Sequence, residues 1–123
     1  MNNHKDLKVW RQGIELTKLV YQLTLAFPES EKYGLVGQMR RAALSIPSNI
    51  SEGAARHSKK EFAQFLYIAM GSCAELDTQM IVCEELGFIT SEPAKAATKQ
   101  IEEIKRMIQG LINYNNTKER TEK

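Results

Sequence analysis

Apolar residues recur every three or four positions in four successive runs of this chain, and that spacing constrains the fold more than any other feature. One face of an α-helix repeats with this period, whereas a half-buried strand needs strict alternation. The first run is Leu7, Trp10, Ile14, Thr17, Tyr21 and Thr24, widened by Leu16, Leu19, Val20 and Leu23. The second is Leu35, Met39, Ala42 or Ala43, Ile46, Ile50, then Gly53 or Ala54. The third, Phe62, Phe65, Leu66, Ala69, Met70, Cys73, Leu76, Met80 and Cys83, is close to a coiled-coil heptad. Ala94, Ala97, Ile101, Ile104, Ile108, Leu111 and Ile112 form the fourth. Helices of roughly 20–28 residues joined by short loops predict an all-α, up-down-up-down four-helix bundle. A chain of 123 residues has room for one such domain.

Local signals set the expected boundaries. Asp6 is a suitable N-cap for the first helix, and Pro28 is expected to end it. PESEKYG, residues 28–34, has loop chemistry. Ser58 and Glu61 form a capping box before the third run. Gly87 followed by Phe88 matches the ending in which a left-handed glycine closes a helix. Thr90 or Ser91 caps the last helix, with Pro93 in its first turn. Residues 1–5 and the polar tail from about Asn115 are expected to fray.

One stretch interrupts the pattern by composition but not by register. SIPSNISEG, residues 45–53, holds a proline, three serines, an asparagine and a glycine, yet Ile46 and Ile50 stay in phase with the residues on either side. The reading is one second helix bent at Pro47; a break there into two shorter helices is the rival. Pro47 has no N–H, and its ring clashes with the carbonyl of Ala43. Ser45, Ser48 and Ser51 are expected to meet the freed backbone groups, and Gly53 to allow close helix approach.

Little in the chain suggests catalysis. It contains no P-loop, no G-x-G-x-x-G and no H-E-x-x-H. Its two histidines, His4 and His57, have no evident nucleophile beside them. Glu75, Asp77, Glu84 and Glu85 lack the E-x-x-H pattern of di-metal bundles. Cys73 and Cys83 stand ten residues apart in one expected helix, roughly 15 Å. That is beyond the ~7 Å a disulfide allows, so both read as core thiols in a reducing compartment. No cofactor or metal is expected. No apolar run reaches membrane-spanning length and MNNHKDLKVW has no signal-peptide core, so a cytoplasmic location is the expectation.

Charge is the more suggestive property. The net charge is only +2, but it is segregated. Residues 31–60 carry six basic and two acidic groups, whereas residues 61–90 carry five acids and no Lys or Arg. Arg40, Arg41, Arg56, Lys59 and Lys60 are the candidates for a phosphate-contacting surface. The two clusters lie about 24 Å apart along a straight helix, and such contacts position a strand without reading its sequence. Solvated charge or salt bridges between subunits compete with that reading.

Several of these stretches also resemble a known family. They are VW near the start, FP–E–YGL in the first connection, Q-x-x-RR-A-x-S-I-P-x-N-I-x-EG in the second run and GS-x-x-EL-x-x-Q in the third. Over roughly residues 6–90 the chain resembles the 23S rRNA intervening-sequence proteins, often labelled ribosomal protein. The resemblance implies a four-helix bundle assembled as a ring-shaped homopentamer, with no catalytic activity. Related accessory proteins of diversity-generating retroelements partner a reverse transcriptase and bind nucleic acid through basic surface. Ser45, Pro47, Asn49, Glu52 and Gly53 then read as a structural signature, with Asn49 and Glu52 expected to bond Arg40, Arg41 or Arg56. Ser51 stands where an alanine is common. The functional expectation is a non-enzymatic, nucleic-acid-binding accessory factor. The alternative is an interaction scaffold whose charge asymmetry serves assembly only.

Overall fold

The computed structural model describes residues 7–122, with side chains through Thr117. Among them are four α-helices and no strand: α1, Lys8–Thr24; α2, Gly37–Ala54; α3, Lys59–Glu85; and α4, Ser91–Glu122. Each helix packs on its neighbours in chain order, and α4 returns to α1. All four contribute fully buried side chains to one core, including Leu16, Met39, Ile50, Leu76, Ile104 and Ile108.

The first helix buries Leu16, Val20 and Thr24 of the expected stripe, and adds Val9 and Gly13, which the sequence reading did not include. Tyr21 of the expected stripe is 42% exposed. Gly13 is buried because α1 comes close to α2 there. A Cβ there would come within 3.2 Å of Pro47 Cδ and 3.3 Å of Pro47 Cβ, so α1 lies directly against the proline of α2. Leu7 occupies the cap position with extended backbone and no side-chain cap. Asp6 and the rest of residues 1–5 lie outside the described residues.

The first connection is more helical than its composition suggests. α1 stops at Thr24, before Pro28, and a 3₁₀ turn at Glu29–Glu31 runs into a π-helical segment, Lys32–Val36, that feeds α2 directly. Gly34 departs from helical geometry inside it, at φ −107° and ψ −107°.

The second helix continues through Pro47. The carbonyl of Ala43, which a helical residue 47 would normally bond, accepts instead from Thr17 Oγ1 of α1 at 3.2 Å. The expected serines do other work. Ser45 reaches the Ala42 carbonyl at 2.8 Å and the Ser72 hydroxyl of α3, and Ser51 donates to Ser48 O. A local reading of the sequence finds only local hydroxyls, whereas the one that meets the freed group lies on another helix.

The ends of α3 follow from its sequence. Ser58 Oγ accepts the Glu61 N–H at 3.0 Å. At the other end Gly87 has φ +80°, with Gly87 N–H bonded to Glu84 O at 3.0 Å and Phe88 N–H to Cys83 O at 2.9 Å, the Schellman pair. Phe88 then packs on Phe27 with ring centroids 5.5 Å apart, which joins the two connections at that end of the bundle. Helix α4 reaches past Asn115. It runs on to Glu122, and Asn115 is buried with its Nδ2 donating to Lys59 O at 2.9 Å.

Candidate nucleic-acid interface

The five cations singled out in the sequence have unlike surroundings. Arg40 is turned onto α1. Its Nε donates to Thr24 Oγ1 at 2.9 Å, its Nη2 approaches the Tyr21 carbonyl at 3.4 Å, and its guanidinium lies 4.5 Å from the centroid of the Tyr21 ring. Tyr21 O is one of the last four carbonyls of α1, which lack intrahelical donors, and α1 has no basic residue in its last turn. Arg40 therefore supplies positive charge to the negative end of α1 from the neighbouring helix.

Arg56 does a similar job at the α2–α3 turn. It pairs with Glu52 at 3.3 Å and Glu61 at 3.9 Å, and its guanidinium lies 4.9 Å from the Phe65 ring centroid. The Lys59 nitrogen is buried. Arg41 and Lys60 are exposed, and among the described residues their charged ends are not committed to another group. Roughly 20 Å of α2 separates Arg41 from the turn that carries Lys60, so the structure does not merge the two clusters.

Other cations escaped the sequence reading. Lys95, Lys99 and Arg106 are exposed on α4, and their i, i+4, i+11 spacing places them on one face. That spacing was readable, but acids on the same segment hid it in a sum of charges.

The signature residues are structural in their contacts. A Cβ on Gly53 would lie 2.7 Å from Phe65 Cβ and 3.0 Å from Phe62 Cδ1, so α2 and α3 cross tightly there. Asn49 Nδ2 donates to Ser45 O within α2 at 2.7 Å and meets no arginine; Glu52 bonds Arg56.

Outside the core, α3 has a second apolar face. Tyr67, Ile68, Ile81 and Val82 are 54%, 52%, 51% and 40% exposed, and Leu44 of α2 is 50% exposed. Exposed Gly71, Ala74 and Thr78 continue the stripe, and Glu75, Glu84 and Glu85 are its exposed charges.

The groups that suggested chemistry are dispersed. Among the described residues, no three His, Cys, Asp or Glu side chains gather as metal ligands. His4 lies outside the described residues, and His57 is exposed beside a pocket of about 420 Å³ between the α2–α3 turn and α4. Cys73 and Cys83 are free and buried. Burial pushes the Cys73 thiol up to about 12 and the Cys83 thiol to about 11, from 9.0. Cys83 Sγ also contacts Met39 Sδ at 3.2 Å. No described helix is long and apolar enough to cross a membrane.

Fold and surface together define an all-α bundle protein with an apolar outer face on one helix and exposed cations on others. The chain belongs to the 23S rRNA-intervening sequence protein family, whose model matches residues 5–110. Its fold is similar to that of a protein of unknown function from the S23 ribosomal protein family of Bacteroides thetaiotaomicron. The TM-score is 0.78 at 22% identity, over 85% of this chain and 95% of that one. No curated protein matches it in sequence.

Proposed function

We propose that this protein is a self-associating, non-enzymatic accessory factor of the cytoplasm that binds RNA or DNA through exposed cations of the assembled bundle. The observation that carries the reading is the division of its surface. The outer face of α3 shows Tyr67, Ile68, Ile81 and Val82 among acids and has no Lys or Arg between residues 61 and 90, while Arg41, Lys60 and the α4 cations stand exposed elsewhere. An apolar face of this extent is suited to burial against another subunit. That leaves the cations for phosphates. The family resemblance implies a ring-shaped homopentamer and, in a retroelement setting, a reverse transcriptase as partner; the helix register and Pro47 support a bend in α2.

A scaffold whose charge serves assembly alone is the second reading; the engagement of Arg40 and Arg56 within the chain leaves fewer cations for phosphate. Those two arginines are therefore poor test positions, since reversing either disturbs a helix end. The test reverses Arg41 and Lys60 together, to Glu, and follows anisotropy with a labelled rRNA hairpin and a DNA duplex at low and physiological salt. Mass is followed by light scattering. Wild-type binding that weakens with salt, lost in the variant at unchanged mass, supports nucleic-acid binding. No wild-type binding at low salt overturns it. A variant that falls to monomers assigns the charges to assembly.

A further inference from the structure

Tyr33 is 93% exposed, more than any other large apolar side chain described. Neither the core nor the basic clusters account for it. It stands on the π-helical segment before α2, next to Gly34, whose backbone leaves helical geometry. Gly34 marks a kink at which two helical stretches meet, so Tyr33 sits at a bend in the chain. The Lys32 ammonium lies 5.6 Å from the Tyr33 ring centroid. Seven positions further along, Arg40 covers the half-exposed ring of Tyr21. This end of α1 and α2 therefore displays aromatic rings with cations beside them.

We propose that Tyr33 is a stacking platform for an unpaired nucleobase, so that the strand held here is single-stranded where it crosses the α1–α2 corner. The inference rests on the nucleic-acid reading above and narrows its ligand. A duplex hides its base faces, whereas a loop or single strand can lay one on an exposed ring. The local charge favours a base over a backbone at this point. Glu29 and Glu31 flank Lys32, and Lys32 lies 4.0 Å from Glu29, so the segment does not attract phosphate as Arg41 does. A neutral π-face is not repelled by those acids. Phosphates on either side of the stacked base then fall to exposed cations such as Arg41.

The test measures Tyr33→Ala and Tyr33→Phe by anisotropy against a labelled single strand, a hairpin whose loop carries the same sequence, and the matching duplex. The side chain is almost wholly in solvent, so neither variant disturbs the core; circular dichroism and light scattering check fold and mass. Tyr33→Ala is expected to weaken single-strand and hairpin binding about tenfold, with duplex affinity and the salt slope unchanged. Tyr33→Phe keeps the ring and is expected to bind as wild type. Unchanged single-strand binding in Tyr33→Ala, or equal loss on duplex, overturns the platform while leaving salt-dependent nucleic-acid binding intact. A change of mass assigns Tyr33 to a protein contact and overturns it too. A wild-type protein that binds none of the three probes removes both readings.

Discussion

Replacing Gly53 with alanine tests the tight crossing of α2 and α3. The new Cβ would sit 2.7 Å from Phe65 Cβ, 3.0 Å from Phe62 Cδ1 and 3.4 Å from Phe62 O. Ordinary carbon contacts lie near 3.5–4.0 Å, so the helices must part by about 1 Å. Phe65 Cβ is fixed to its backbone and cannot swing away as a side-chain tip can. Overpacking of this kind costs about 1–3 kcal/mol. Alanine's helix propensity offsets up to ~1 kcal/mol, less near the end of α2. The expected net loss is about 1–2 kcal/mol, or a fall in Tm of roughly 3–10 °C for a domain of this size. Gly110→Ala is the matched control. Gly110 is exposed in α4 with no atom within 4 Å of a new Cβ, so the same change is expected to stabilise by up to ~1 kcal/mol. Urea and thermal unfolding by circular dichroism compare the two at one protein concentration, because assembly makes Tm concentration-dependent. A Gly53→Ala protein as stable as wild type, or more so, would refute the close approach.

Two further outcomes follow from buried groups. Thr17→Val removes the hydroxyl shared by the Gly13 and Ala43 carbonyls and is expected to cost about 1 kcal/mol in urea unfolding. In a Pro47→Ala background the new N–H serves the Ala43 carbonyl and the cost should shrink; equal losses in both backgrounds would show that Thr17 does not compensate the proline. Cys73 and Cys83 should resist a thiol-specific disulfide reagent at pH 8 until the protein unfolds, and rapid labelling of the native protein would contradict their burial. Because their folded values are raised to about 12 and about 11 from 9.0, the unfolded chain ionises first as pH rises. Their stabilising contribution is thus complete below about pH 9 and is lost through the window up to about 12. At pH 10 the loss is about 1 kcal/mol for each thiol, and unfolding curves that do not shift between pH 8 and 10 would rule the linkage out.

The four runs of apolar residues made the helices legible because burial on one helical face leaves a local, periodic trace. The Ser58 cap and the Gly87 ending were legible for the same reason: each is a contact between residues no more than five apart. What the sequence hid depends on a second helix. That Gly13 joins the buried line of α1 follows from its close approach to Pro47, 34 positions away in the chain. The donor for Ala43 O is a threonine of α1, which no inspection of SIPSNISEG alone can find. The candidate site divides along the same line. The sequence supplied every cation of the two clusters, but charge counting treats a guanidinium stacked on Tyr21 as equal to one standing in solvent. Only packing separates Arg40 and Arg56, which tie helix ends together, from Arg41 and Lys60, which remain available to a ligand. Tyr33 entered the sequence reading only as part of the YGL motif, not as a site candidate, for the converse reason. An aromatic residue in a segment with loop composition leaves no periodic trace, so its display to solvent is visible only once the π-helical turn is built.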